Sequence, residues 1–182
     1  MIQSRRNFLR SASLMAAGGT LTACTVTTSG KMTALTLNTA RVKAYAQAGI
    51  NAVTTILSIT AVSTAMGAPA VAVIEAAGGA LSTAFSALAS ETNGSLTVSY
   101  DNTSFKTRID TLLVDLNNVA LALRAGLVAA QQTVTNTVIN TAIITFNALQ
   151  TVIDAFEGVL GINMTNVTDE QEATALSVLA VQ

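Results

Sequence analysis

The residues that decide the fold are 105–160, which read FKTRIDTLLVDLNNVALALRAGLVAAQQTVTNTVINTAIITFNALQTVIDAFEGVL. Apolar side chains recur through this stretch every three or four positions: Phe105, Ile109, Leu112, Leu116, Val119, Leu123, Leu127, Ala130, Val134, Val138, Ala142, Phe146, Leu149, Ile153, Phe156 and Leu160. Fifteen steps over 55 residues average 3.67, close to the 3.6 residues per turn of a straight α-helix. The spacing therefore predicts helix, with an interruption at Gly126 and an end at Gly158 and Gly161.

A second apolar region precedes this stretch and contains almost no charge. Residues 44–74 hold no Asp, Glu, Lys or Arg. Gly67-Ala68-Pro69 divides the region into two predicted helices, because Pro suits a first helical turn, and the second helix runs to about Ser90. Residues 96–100 alternate like a short strand. A last short helix, residues 168–181, begins with the acidic residues that favour a helix N-terminus.

These segments predict an all-α fold, either an up-down helical bundle or one long folded-back helical hairpin, with a short β-like turn near residues 95–101. Strands remain an alternative for residues 53–64 and 133–145, because both stretches are rich in Val, Ile and Thr. Neither stretch alternates strictly, which favours helix. Residues 53–74 include enough uncharged residues to cross a bilayer, but their many hydroxyls and the Gly-Pro break favour a helix buried inside the bundle.

Folding the chain back near residue 98 brings together positions whose numbers sum to about 196. Glu75, the only charge in residues 44–90, then faces Arg124, the only charge in residues 116–153. Burying a charge without a partner is costly, so Glu75 and Arg124 are a candidate buried ion pair. The alternative is that both side chains point to water.

Composition excludes several chemistries. The chain has no His and a single Cys, so neither an internal disulfide nor a Cys/His metal site can form. Charged residues are 10% of the chain, against about 25% in an average soluble domain. Without residues 1–23, six basic and ten acidic residues remain, a net charge of −4. Binding to nucleic acid, which needs clustered Lys and Arg, is not expected.

The carboxylates suggest no catalytic, cofactor or metal site. Asp154 and Glu157 lie one helical turn apart, where a solvated face is the simpler explanation than acid–base chemistry or Ca²⁺ binding. The acidic group at the start of the last helix, Asp169, Glu170 and Glu172, suits the helix dipole. Without His, a nucleophile lacks its usual base. We therefore expect that the protein is not an enzyme and holds no cofactor.

Residues 4–10 read Ser-Arg-Arg-Asn-Phe-Leu-Arg, and twelve uncharged residues follow. A basic pair before a short apolar run is the layout of an export segment, and the run is too short to span a bilayer. The segment resembles the bacterial twin-arginine signal, Ser/Thr-Arg-Arg-x-Phe-Leu-Lys, and departs from it only at Arg10. The resemblance implies that residues 1–23 are removed after export, and that the signal residues are Arg5, Arg6, Phe8 and Leu9.

Leu21-Thr22-Ala23-Cys24 resembles a lipobox, the bacterial motif whose Cys is acylated and becomes the first residue of a lipoprotein. The alternative is ordinary cleavage after Ala23 that leaves a free thiol, but Leu21 stands where such a cut prefers a small residue. Acylation of Cys24 would supply the several chains that stable anchoring requires. Because Thr25 rather than Asp follows the Cys, the resemblance implies anchoring in the outer membrane, on the periplasmic side.

The expected organisation is thus an export signal at 1–23, a lipidated tether at 24–37 and a helical domain at 38–182. The expected role is that of an exported, lipid-anchored envelope protein with a structural or protein-interaction role. Its partners would be the membrane, through Cys24, and either another protein or a second copy. The alternative function is a helical hairpin around residues 67–69 that inserts into a bilayer and permeabilises it.

Overall fold

The structure is a computed structural model that describes residues 24–29, 32–92, 95, 97–100, 102–163 and 167–181. In these residues the chain forms a helical bundle with a small antiparallel sheet, which confirms the predicted all-α class. The elements in chain order are β1 Cys24–Ser29, β2 Met32–Asn38, α1 Thr39–Ser58, α2 Thr60–Met66, α3 Ala68–Thr92, β3 Thr97–Ser99, α4 Thr103–Ala130, α5 Asn136–Val159 and α6 Asp169–Val178.

The sheet lies at one end of the bundle, here called the sheet end. Its strand order is β1-β2-β3, and Leu37 pairs with Cys24 on one side and with Val98 on the other. β3 is the β-like element predicted near residues 95–101. Residues 24–37, predicted as a tether, instead contain two strands. Thr and Val make up residues 25–28, and β-branched residues favour strands once β2 offers an edge to pair with.

The core lies between α1, α4 and α5, with α3 packed along α4. Tyr45 of α1 and Phe156 of α5 are fully buried, and their ring centroids are 5.0 Å apart. Gly49 allows α1 to approach closely, because a Cβ there would lie 2.6 Å from Leu81 Cδ2 and 2.8 Å from Leu116 Cδ1. The inward side chains of α4 recur as the sequence predicted, from Ile109 through Leu116 to Leu127.

The prediction of an interruption at Gly126 is wrong. α4 continues through Gly126 to Ala130, and the chain turns at residues 131–135 instead. Gly126 is a packing residue: a Cβ there would lie 2.9 Å from Met66 Sδ and 3.2 Å from Ile74 Cδ1. The turn falls where Thr and Val, which are poor helix formers, replace Ala and Leu.

The stretches left open between helix and strand are helical. Residues 53–64 belong to α1 and α2, apart from Ile59, and residues 136–145 begin α5. α1 and α2 meet at a bend of 90°. Gly67 then has a φ of 82°, a conformation that favours glycine, and leads into α3. Residues 53–74 are therefore three helical pieces rather than one membrane-length helix.

Candidate functional site

The predicted signal residues, Arg5, Arg6, Phe8 and Leu9, lie outside the described residues. Cys24, the predicted lipidation site, is the first residue of β1. It pairs with Leu37, one residue before α1 is capped by Asn38, whose side chain accepts hydrogen bonds from two backbone amides of α1. A lipid on Cys24 would therefore attach directly at the sheet end of the bundle.

The prediction that Glu75 and Arg124 form a buried ion pair is wrong. Both residues are exposed, and no salt bridge joins them within the described part of the chain. The predicted hairpin register is nevertheless close, because Glu91 of α3 accepts a hydrogen bond from Ser104 at 2.6 Å and forms a salt bridge with Arg108. Water stabilises each lone charge on the outer side of the hairpin, so neither needs a partner.

Sequence reasoning missed a buried polar cluster formed by Arg41, Tyr45 and Glu172. Arg41 Nε donates to Tyr45 Oη at 2.7 Å and to Glu172 Oε1 at 2.7 Å. A second Arg41 nitrogen binds Glu172 Oε2, and it also lies 3.3 Å from Asp169 Oδ1. Tyr45 Oη donates to Glu172 Oε1 at 3.0 Å. The only sequence signal was the spacing of Arg41 and Tyr45, one helical turn apart at the edge of the uncharged region.

Electrostatics favour the charged form of Arg41 and the neutral form of Tyr45 in this cluster. Burial on its own lowers the pKa of the Arg41 guanidinium, but the hydrogen bond to Glu172 and the nearby negative charge raise that pKa overall. Burial, followed by the charge of Glu172, raises the pKa of Tyr45 well above its usual value. Arg41 is therefore charged and Tyr45 neutral at any physiological pH.

The arrangement fastens α6 to α1, because both oxygens of the Glu172 carboxylate bind Arg41. Asn51 Nδ2 donates to the carbonyl of Leu179 at 2.8 Å, which fixes the other end of the same segment. Thr168 and Gln171 form a capping box at the start of α6. We call the Arg41–Tyr45–Glu172 cluster the latch.

A second polar cluster lies on the surface at the sheet end. Tyr100 Oη donates to Asp110 Oδ1 at 2.5 Å, and Lys106 Nζ lies 2.5 Å from Asp110 Oδ2 and 4.8 Å from the centre of the Tyr100 ring. Partial burial raises the pKa of the Asp110 carboxyl, but the hydrogen bonds from Lys106 and Tyr100 outweigh it, and the pKa is lowered overall. These contacts join the start of α4 to the end of β3.

Charge is distributed unevenly along the bundle. Arg41, Glu91, Lys106, Arg108 and Asp110 lie at the sheet end, where α1 and α4 begin and α3 ends. The opposite end holds α2, the start of α3 and the turn at 131–135. Residues 44–74 and 125–153 carry no charge, and the exposed Glu75 and Arg124 are the charges nearest this end.

Two helices leave large parts of their surface uncovered. In the most apolar window of α3, only 17% of the residues are buried. α4 carries a row of exposed positions on its outward side, which we call the outer stripe: Thr107, Thr111, Val114, Asn118, Leu121, Ala125 and Val128. Val114, Leu121 and Val128 are 57%, 64% and 55% exposed, the largest concentration of exposed aliphatic side chains on one described helix. A surface of this kind suits contact with another apolar surface.

By length and composition, three of the described helices, α3, α4 and α5, are long and apolar enough to cross a membrane. Among the described residues, no group of three or more acidic or Cys side chains lies close enough to hold a metal ion. Comparison of the chain with protein-family models, curated proteins and solved structures finds no match.

Proposed function

We propose that the protein is an exported, lipid-anchored protein of the bacterial envelope that acts through protein contacts and not as an enzyme. The observation that carries the proposal is the order of residues at the N-terminus. A twin-arginine-like segment at 4–10 is followed by the lipobox-like Leu21-Thr22-Ala23-Cys24.

The position of Cys24 supports a short attachment. The anchor lies close to the bundle, because Cys24 pairs with Leu37 and α1 starts two residues after Leu37. The sheet end would then face the lipid headgroups, and the opposite end, which carries fewer charges, would point away from the membrane. Such an arrangement presents α3 and the outer stripe of α4 sideways, where neighbouring proteins can reach them.

The polar clusters support a structural role. The charged groups of the latch hold α6 in place. The contacts among Tyr100, Lys106 and Asp110 join the end of β3 to the start of α4. General acid–base catalysis requires a group that can reach a substrate and exchange a proton with it. In neither cluster is the carboxylate free for that task.

Membrane fractionation of the full-length chain tests the proposal. We expect the wild-type protein in the outer-membrane fraction and a Cys24→Ala variant to be absent from that fraction, because a chain that is not acylated keeps residues 1–23 as an uncut precursor. Replacing Arg5 and Arg6 by Lys should leave the precursor inside the cell, because the signal depends on the Arg pair, whereas Arg10→Lys should export normally as the matched control. A Cys24→Ala variant that reaches the outer-membrane fraction like the wild type would contradict the anchor.

A second candidate function is insertion of the α3–α4 hairpin into a bilayer, which would permeabilise it. The observation that favours it is α3: 25 residues, apolar enough to span, and mostly uncovered. The experiment is dye release from anionic and zwitterionic vesicles by the purified Cys24→Ala protein. Release that is abolished by Ala76→Asp and Ala80→Asp in α3 would support insertion. Intact vesicles at all protein concentrations would exclude it.

A further inference from the structure

The last helix, α6, is held to the bundle largely by polar contacts at its two ends. Arg41 and Tyr45 of α1 bind Glu172 in the first turn of α6, and Asn51 of α1 donates to the carbonyl of Leu179 directly after its last turn. When a segment opens, such hydrogen bonds are exchanged for hydrogen bonds to water, so their net contribution to closure is modest. The two ends therefore fix the position of α6 more than they resist its release.

The apolar contact between α6 and the bundle is small. Within Asp169–Val178, Ala175 is the one buried apolar side chain, and Leu179 adds a second at the C-cap. Leu176 and Val181 are only partly buried. By comparison, nine side chains of α5 are buried. A segment with few buried apolar contacts opens at a lower free energy than the core of the same protein.

The side of α6 that faces α5 is also loosely packed. An open groove of about 410 Å³ lies between the two helices, and its lining includes Ala148 and Thr151 of α5 and Thr174, Ala175 and Val178 of α6. Side chains that line such a gap lack part of the dispersion contacts that a closely packed interface supplies. Packing against α5 is therefore a weak restraint on α6.

We propose that α6 is a strap that opens and closes while the rest of the bundle stays folded, and that the latch sets how much of the time it is closed. In the closed state, which the structure shows, Glu172 contacts the hydroxyl of Tyr45, whose ring packs against Phe156. Opening exposes Tyr45 and the part of α1 between Arg41 and Asn51. The strap requires neither the lipid nor export, so it is independent of the proposed function.

Thiol labelling of full-length Cys24→Ala protein tests the strap, because an introduced Cys is then the only thiol. Ala175→Cys places this thiol on the buried side of α6. Ala120→Cys, on α4, is the matched control, because the two alanines are 5% and 6% exposed. Without denaturant, the thiol at position 175 should react at least about tenfold faster than the thiol at position 120, because only the first is uncovered by the opening of α6. Equal rates would overturn the inference.

A core substitution distinguishes opening of α6 from unfolding of the whole bundle. Ile74, at the far end of α3, is fully buried beside Gly126. Ile74→Ala should accelerate labelling at position 120 by about thirtyfold or more, because the cavity favours complete unfolding. Labelling at position 175 should stay within about twofold, because Ile74 remains buried when α6 opens. Equal acceleration at both positions would show that α6 opens only when the bundle unfolds, which overturns the inference.

A latch substitution tests what holds the strap closed. Glu172→Gln should accelerate labelling at position 175 about tenfold, because the closed state loses the charged partner of Arg41. Glu170→Gln, in the same turn but exposed, is the matched control and should leave the rate unchanged. A Glu172→Gln protein that is labelled at the wild-type rate would contradict control by the latch.

Hydrogen exchange covers the case in which Ala175→Cys itself displaces α6. In the chain without added thiols, the backbone amides of residues 173–178 should exchange faster than those of residues 112–127, and Ile74→Ala should accelerate only the second group. Exchange that is equally slow in both groups, or equally accelerated by Ile74→Ala, would overturn the strap.

Discussion

The two apolar stripes of α4 lie on one helix and have opposite environments. Leu116, on the inner stripe, is fully buried against α1 and α3, whereas Leu121, on the outer stripe, is 64% exposed. The inner stripe is covered because helices from the same chain fold over it. The outer stripe has no neighbour in the described residues. The comparison teaches that an apolar row marks a surface to be covered, and that the chain itself need not supply the cover.

The largest expected effect separates the two stripes directly. Leu116→Ala should lower the free energy of unfolding by about 2–5 kcal/mol, because it leaves a cavity in the core. Leu121→Ala should change it by no more than about 0.5 kcal/mol, because the side chain is mostly in water. Urea titration of dilute Cys24→Ala protein, followed by circular dichroism, measures both. Equal losses would show that the outer stripe is also part of the core.

The second prediction concerns the contribution of the latch to the free energy of unfolding. Glu172→Gln should cost about 1–3 kcal/mol, because Arg41 loses its charged partner in a partly buried site. Glu170→Gln, in the same turn of α6 but exposed, is the matched control and should have little effect. The same urea titration reads out both variants. A Glu170→Gln protein as unstable as Glu172→Gln would mean that helix charge, and not the latch, holds α6.

Substitutions of two glycines, one buried between helices and one exposed, should change the stability in opposite directions. Gly49→Ala should destabilise the protein by about 1–3 kcal/mol, because its Cβ would overlap Leu81 and Leu116. Gly79→Ala, on α3, has nothing within 4 Å of its Cβ and should stabilise the helix by about 0.5–1 kcal/mol. Thermal unfolding of the two variants checks the opposite signs. A destabilising Gly79→Ala would indicate that α3 is covered by something outside the chain.

The smallest effect is the alkaline titration of the two tyrosines, Tyr45 and Tyr100. Burial raises the pKa of both phenols from the ordinary 10.0, and more strongly for Tyr45. A raised pKa stabilises the fold fully below about pH 10, and this contribution is lost as pH rises through the folded pKa values. Ultraviolet absorbance should therefore show tyrosinate forming at higher pH than in unfolded protein. In the Tyr45→Phe variant, only the transition at lower pH, that of Tyr100, should remain. Tyrosinate that forms at the same pH in folded and unfolded protein would contradict the burial of the tyrosines.

Much of the fold followed from spacing alone. Repeats of three and four residues predicted the helices, and the Gly67–Pro69 break and the folded-back register near residue 98 agree with the structure. The break at Gly126 was misjudged, because a glycine that ends a helix and one that lets two helices approach have the same sequence signature. The strands at 24–38 were missed: β1 pairs with its neighbour β2, and only the second pairing of β2, with β3 some 60 residues away, is remote in the sequence.

The charged residues were harder to place than the apolar ones. Glu75 and Arg124 were paired on the argument that a lone charge in an apolar row is buried, yet both lie on faces open to water. Glu172 was assigned to a helix start, where its charge suits the dipole, and its burial at 5% exposure was not foreseen. Its partner Arg41 is 131 residues away, and no local pattern reports a contact at that distance. Whether such a charge is buried depends on which face of the helix it occupies, and periodicity predicts that face only to within one residue.

The claim on which the whole account depends is that Cys24 is the lipid-bearing first residue of a membrane-attached bundle. The most direct measurement is the intact mass of the full-length gene product extracted from membranes. The account predicts a mass equal to residues 24–182 plus a diacylglyceryl group and an N-linked acyl chain. A mass that corresponds to an unmodified chain, whether it starts at Met1, at Cys24 or elsewhere, would contradict it.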